Sequence, residues 1–213
     1  MKIFDLDGPF QLYGSMVFDI IVVNLMWLFI TFFSFGILYG PATAAAHGSL
    51  YACVVTREGY MLKQFFIVFK KRILSGLLFG LISTFLVTIS LFNLYVTFTG
   101  RFGSIYLTPV YLFLLIQLGF TITFAYPMLA HTKLKLGQML KLSFLLANKH
   151  LPTAILTSLL NASVLYLAAN VALGAIGLAI YLFAAYGIVF TLNSYLISKR
   201  VLTQYEFFDG SLS

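Results

Sequence analysis

The sequence predicts an all-α protein: a polytopic membrane helix bundle with five to six transmembrane helices and an amphipathic cytoplasmic helix before span 3. None of the 13 Lys and Arg or 6 Asp and Glu residues lies in residues 20–56, 73–100, 102–132 or 151–198. Hydrophobic residues make up 61% of the chain, against roughly 45–50% in soluble domains. The mean hydropathy is +1.00. Because a ~30 Å hydrocarbon core needs about 20 apolar residues per helix, each charge-free stretch accommodates one or two spans.

The chain is predicted to form a single integral membrane domain over residues 1–213. Asp5 and Asp7 stand where a cleavable signal peptide has its basic region, so we expect the first hydrophobic segment to stay in the mature protein. The single cysteine, Cys53, excludes an internal disulfide and multi-cysteine metal motifs. The net charge of +7 comes from basic residues beside predicted helix ends, which is typical of the positive-inside bias. We therefore expect the lipid bilayer, and no nucleic acid, as a partner.

Six segments follow from the charge map. Span 1 is predicted at about residues 12–35, and a short Ala-rich second helix at about residues 41–56. Spans 3 and 4 are predicted at about residues 73–98 and 105–129, and spans 5 and 6 form a hairpin over 151–198 that turns near 169–177. The second helix is short for a crossing. If it crosses, there are six spans and a cytoplasmic N-terminus; if it is re-entrant, there are five and the N-terminus is outside.

Three groups of basic residues set the expected orientation. Since positive charge is retained on the cytoplasmic side, all three are predicted to face the cytoplasm, together with the C-terminus. They are Arg57, Lys63, Lys70, Lys71 and Arg72; Lys133, Lys135, Lys141 and Lys149; and Lys199 and Arg200.

Small residues recur at four-residue steps in two of the predicted helices. Gly40, Ala44 and Gly48 share one face of the second helix, and Gly76 and Gly80 begin span 3. In lipid, small residues at this spacing let helix backbones approach closely. We interpret the five residues as helix-packing positions, either within this chain or against the helices of a partner.

An amphipathic helix is predicted at about residues 60–72. Starting near Gly59, it places Leu62, Phe65, Phe66 and Phe69 on one face, with lysines at its flanks. A similar pattern occurs at residues 140–151. Such a face fits either the lipid headgroup boundary or a groove on a partner subunit. The candidate contact residues are Lys63, Phe66, Phe69, Lys70, Lys71 and Arg72.

Polar residues within the predicted spans are few. Asp19 is the one formal acid in a span, and an intramembrane carboxylate is by default a candidate for a functional role. His131 and His150 are expected at the surface and His47 in a structural hydrogen bond. The amides either line a polar pathway or cross-link helices; they are Asn24, Asn93, Gln117, Asn161, Asn170 and Asn193.

No nucleotide-binding or hydrolase motif occurs in the sequence, and the histidines have neither metal spacing nor a carboxylate nearby in sequence. The sequence therefore predicts no catalytic residue, no metal site and no cofactor, and an embedded enzyme is disfavoured.

Four segments resemble, in order and spacing, the YesL-like family of small bacterial integral membrane proteins, a family of unknown function. They are residues 24–27 (NLMW), 40–45 (GPATAA), 64–71 (QFFIVFKK) and 187–196 (GIVFTLNSYL). Members of that family are typically encoded beside ABC importers for oligosaccharides. The resemblance implies an accessory subunit of a carbohydrate ABC importer in the bacterial plasma membrane, in contact with its permease subunits. The alternative is a self-contained small solute transporter or channel.

Overall fold

The computed structural model of the chain describes residues 9–52, 61–99, 105–169 and 186–205. Within these ranges every regular element is helical, which confirms the all-α prediction for them. The helices are α1 (Pro9–Phe33), α2 (Tyr39–Tyr51), α3 (Met61–Phe98), α4 (Thr108–His131), α5 (Leu136–Lys149), α6 (Leu151–Ala169) and α7 (Tyr186–Asn193). A 3₁₀ turn, Ile105–Leu107, precedes α4. Helix α7 continues as a π-helical segment, Ser194–Lys199, and a 3₁₀ turn, Leu202–Gln204, follows.

Three of the described helices are long and apolar enough to cross a membrane. They are Gly14–Phe33 within α1, Met61–Phe98 and Thr108–His131. The first part of α6, Leu151–Val164, is apolar but shorter. These lengths and compositions are those of a membrane protein. The predicted turn near residues 169–177 lies outside the described residues, apart from its first residue, Ala169, which ends α6.

Two of the predicted helices differ from the structure by more than two or three residues at an end. Helix α2 has 13 residues, Tyr39–Tyr51, in place of residues 41–56, of which 53–56 lie outside the described residues. The amphipathic segment is not a separate helix, because it continues without interruption into span 3 as the 38-residue α3. No proline or glycine stands between Met61 and Ile73 to end the helix. In the second basic segment, by contrast, the backbone leaves the helical conformation at His150 (φ −113, ψ 48), two residues before Pro152.

Helix α2 lies at the centre of the described bundle. It packs against α1, α3, α4 and α7, and every residue from Gly40 to Ala52 is buried. One core cluster joins α2 to α1 and α3 around Trp27, Phe65 and Val68. A second cluster joins α4 to α5 and the C-terminal helix around Met128 and Ile197. A helix without charged residues, rich in Ala and Gly, is thus enclosed by its neighbours.

Candidate functional site

Helices α2 and α3 approach each other closely where they cross. A Cβ atom added at Gly76 would lie 2.6 Å from the Cα of Pro41, and one added at Gly80 would lie 2.9 Å from the Cα of Gly40. A Cβ at Gly40 would overlap the carbonyl group of Gly76. Since no side chain fits between these backbones, the crossing requires glycine at all three positions.

The other two packing positions make looser contacts. A Cβ added at Gly48 would lie 3.0 Å from a methyl group of Val68, which is a side chain that can shift. Ala44 is buried in the cluster that also contains Phe79 of α3 and Phe124 of α4. The small-residue face of α2 therefore meets backbone at its first turn and side chains further along.

A hydrogen bond between side chains joins α1 to α2. The indole Nε1–H of Trp27 donates to the hydroxyl oxygen of Thr43 over 2.9 Å, and that hydroxyl donates to the carbonyl oxygen of Tyr39 over 2.8 Å. The indole ring also contacts the rings of Tyr39, Tyr186 and Phe190. Trp27 thus connects α1, α2 and α7 at one point.

Helix α2 is joined to the C-terminal helix by His47 and Ser194, both buried. The distance between His47 Nδ1 and Ser194 Oγ is 3.0 Å, and the Ser194 hydroxyl donates to the carbonyl oxygen of His47 over 3.2 Å. A hydroxyl has one hydrogen, so both bonds form together when Nδ1 carries the imidazole proton. The residue bonded to His47 is the first of the π-helical segment, a type of turn that is frequent at functional sites.

His131, at the end of α4, is 1% exposed, and its ring lies 4.6 Å from that of Tyr51 at the end of α2. The expectation that His131 is a surface residue is therefore wrong. Its sequence neighbours Lys133 and Lys135 are exposed, but α4 ends against α2, and this places His131 in the interior.

Among the residues that the structure describes, three of the predicted amides make hydrogen bonds between helices. Asn24 Oδ1 accepts from the backbone N–H of Gly187 over 2.8 Å. Asn193 Nδ2 donates to Asn161 Oδ1 over 3.2 Å, and Asn161 Nδ2 lies 3.4 Å from the Thr123 hydroxyl. These amides link α1 to α7, α7 to α6 and α6 to α4. Asn170 lies outside the described residues.

The end of the bundle formed by the start of α3, the α4–α5 connection and the C-terminal helix is basic. Arg72 of α3 donates to the carbonyl oxygen of Thr132, directly after α4, and so ties the two helices together. Lys199 lies over the ring of Tyr195, and Lys149 lies over that of Tyr205. Among the described residues the one acidic side chain is that of Asp19, which is partly buried on α1.

Of the four apolar residues predicted on one face at the start of α3, Phe65 faces inwards, which corrects the sequence prediction at that residue. Phe65 is fully buried against α2, whereas the next residue, Phe66, is 41% exposed. Adjacent residues in a helix point about 100° apart, so they meet different surroundings. We term the outward side of this part of α3 the basic ridge. It consists of the exposed Leu62, Phe66 and Ile73 and the partly buried Phe69, with Lys63, Lys70 and Lys71 beside them.

Of the candidate contact residues, Lys63, Lys70 and Lys71 are exposed and Phe69 is half-buried. Arg72 lies on the inner side of the ridge, where its guanidinium group bonds Thr132.

The second basic segment repeats the burial pattern of the first. Met139 and Leu146 of α5 are buried, as are Met61 and Val68 of α3, which stand 78 residues earlier. Phe144 is exposed like Phe66, and Lys141 is exposed like Lys63. The sequence likeness of residues 62–73 and 140–151 thus extends to which side chains face outwards.

Residues 20–94 match the model of a family described as a protein of unknown function, DUF624. The match covers α2, most of α1 and nearly all of α3, including the glycine crossing and the basic ridge. It confirms the resemblance to the YesL-like family over these residues. No curated protein and no solved structure matches the chain significantly.

The hydrogen-bond partners that join the helices in the interior could not be assigned from the sequence. Thr43 and Ser194 stand in two of the segments that carry the family resemblance, but a hydroxyl residue in a span gives no indication of which helix it faces. Trp27 was noted only as part of the family resemblance, although a single tryptophan in an apolar chain points to a specific packing role.

Proposed function

We propose that the protein is an accessory membrane subunit that associates with the permease subunits of a bacterial carbohydrate ABC importer and carries out no chemistry of its own. The family resemblance supports the link to carbohydrate import. The structural observation that supports a docking role is the basic ridge of α3, where large apolar side chains stand outwards beside three lysines. Exposed apolar groups with flanking charge are typical of contact surfaces.

The interior of the described bundle favours an accessory role over a self-contained transporter or channel. A transport pathway needs polar groups that face a cavity, whereas here the centre is filled by α2. The polar groups of Trp27, Thr43, His47 and Ser194 bond one another or nearby backbone. Their geometry is that of helix cross-links.

We further propose five to six spans in the bacterial plasma membrane, with the basic end and the C-terminus in the cytoplasm. Thr99, beyond the end of α3, and Gly137, at the start of α5, are both exposed and mark the two ends of the bundle. In a Cys53→Ala background, an impermeant maleimide should label Thr99→Cys in intact cells, and Gly137→Cys only after the membrane is opened. The reverse pattern would contradict the proposed orientation.

Co-purification tests the proposed docking role. Phe66→Leu keeps an apolar residue but removes the ring, so recovery of permease subunits should fall several-fold if a shaped groove receives it. Phe92→Leu is the matched control, since Phe92 is also exposed on α3 but lies in its other half. It should leave recovery unchanged.

A second variant separates charge from shape. Replacing Lys63, Lys70 and Lys71 with glutamine should reduce recovery and make it less sensitive to salt. If each of the two variants recovered as much permease subunit as the wild-type protein, the ridge would only anchor the protein to lipid. The docking proposal would then be abandoned.

A further inference from the structure

The turn between α1 and α2 exposes an unusual set of side chains. Phe32, Phe33 and Ile37 are exposed, and Phe35 is 95% exposed. Turns that face water are built from small polar residues, because exposed aromatic rings are unfavourable there. Four large apolar side chains at the tip of a helical hairpin are therefore expected to lie in an apolar environment.

The backbone N–H groups of this turn all have acceptors within the chain. Phe35 (φ 51) and Gly36 (φ 80) reverse the chain, and the N–H of Gly36 donates to the carbonyl oxygen of Thr31 over 2.8 Å. The hydroxyl of Ser34 accepts from the N–H of Leu38 over 3.1 Å. The remaining N–H groups between Ser34 and Tyr39 all donate to carbonyl oxygens within the turn or the end of α1. A non-helical backbone tolerates hydrocarbon only when its polar groups are satisfied, and the N–H groups of this turn meet that condition.

The glycine crossing fixes how far the turn reaches along α3. Gly40 follows directly after the turn and lies against Gly76 and Gly80. These glycines stand only one to two turns beyond Arg72, the last charged residue of α3. From Gly80 the helix runs for about 27 Å more to Phe98, at 1.5 Å per residue. The turn therefore lies beside the apolar part of α3, far from its distal end.

We propose that the turn at residues 31–39 is embedded in the hydrocarbon region of the bilayer, where its phenylalanine side chains contact lipid acyl chains. Helix α2 then begins within the membrane and ends at the basic side without crossing, which narrows the proposed five to six spans to five. This inference depends on α3 crossing the membrane with its charge-free part, residues 73–98, and is independent of the association with an importer.

Spin-label accessibility in proteoliposomes tests the proposal. The purified Cys53→Ala protein carries a nitroxide at Phe35→Cys and is reconstituted into vesicles of phosphatidylethanolamine and phosphatidylglycerol. In hydrocarbon, collisions with dissolved oxygen are frequent and collisions with a water-soluble nickel chelate are rare. We expect the ratio of oxygen to nickel collisions at position 35 to match that at Phe92→Cys and to exceed that at Gly137→Cys several-fold.

Two outcomes would overturn the proposal. A nickel collision rate at position 35 equal to that at Gly137→Cys would place the turn in water. Low rates for both reagents would show that protein, and not lipid, covers it. Phe32→Cys provides a second site with regular helical geometry, so a failure of the Phe35 variant to fold leaves the test intact.

Discussion

The two halves of the α3–α4 hairpin differ in what surrounds them. In the half near the basic residues, α3 packs against α2, and every residue of α4 from Thr123 to His131 is buried. In the other half, residues 81–98 of α3 and 108–120 of α4, large apolar side chains such as Phe85, Phe92 and Phe113 are exposed. The same pair of helices thus passes from a closely packed protein interior to an apolar surface.

The difference shows where the fold of a membrane protein is specified. Lipid solvates a phenylalanine side chain as well as a protein interior does, so hydrophobicity alone does not bring helices together there. The basic half instead has glycine at backbone crossings and side-chain hydrogen bonds between helices. We expect mutations in that half to change stability, and similar mutations in the apolar half to have little effect.

The largest expected effect is at the glycine crossing. Gly76→Ala places a methyl group 2.6 Å from the Cα of Pro41, and because backbone must move, we expect unfolding free energy to fall by about 3 kcal/mol. Gly119→Ala is the control, since an added Cβ meets nothing within 4 Å there. That change should be neutral or stabilise by up to about 1 kcal/mol. Both changes in unfolding free energy are measured by thermal unfolding of the detergent-purified variants, monitored by circular dichroism. Equal losses for Gly76→Ala and Gly119→Ala would contradict the proposed difference between the two halves.

A medium effect is expected at the buried hydroxyl of Thr43. Thr43→Val keeps the shape but leaves the Trp27 indole N–H without its acceptor, which should cost about 2 kcal/mol. Thr99→Val removes an exposed hydroxyl that bonds only carbonyl groups of its own chain segment, so its effect should stay within about 0.5 kcal/mol. If Thr99→Val lowered the unfolding free energy more than Thr43→Val in the same assay, the proposed contribution of the Trp27–Thr43 hydrogen bond to stability would be wrong.

The smallest expected effect on stability is at Phe65, and it is compared with that at the adjacent residue, Phe66. Phe65→Leu alters a fully buried ring and should lower unfolding free energy by about 1 kcal/mol, whereas Phe66→Leu should be nearly neutral for stability. The two variants are compared under identical detergent conditions. A larger loss for Phe66→Leu would mean that the ridge is part of the core.

The sequence predicts the helical class well, because long charge-free stretches have few solutions other than membrane helices. It could not place α2, since an Ala- and Gly-rich helix of 13 residues suits a short span and a buried half-helix equally. Nor could it assign the faces of α3. The predicted start near Gly59 grouped Phe65 with Phe66, and only the position of α2 shows which ring is inside. The surface prediction for His131 is wrong for a related reason. The neighbouring lysines indicate that a helix ends there, but they do not indicate which helix packs against that end.

Trp27 is the single tryptophan of the chain, and its indole sits where α1, α2 and α7 meet. Its fluorescence is therefore a built-in optical reporter of the interior. Separation of any of these helices would change the polarity around the ring and shift the emission maximum. Binding events at the basic ridge that leave the interior intact would leave the emission unchanged. One unmodified residue can thus distinguish surface association from rearrangement of the bundle.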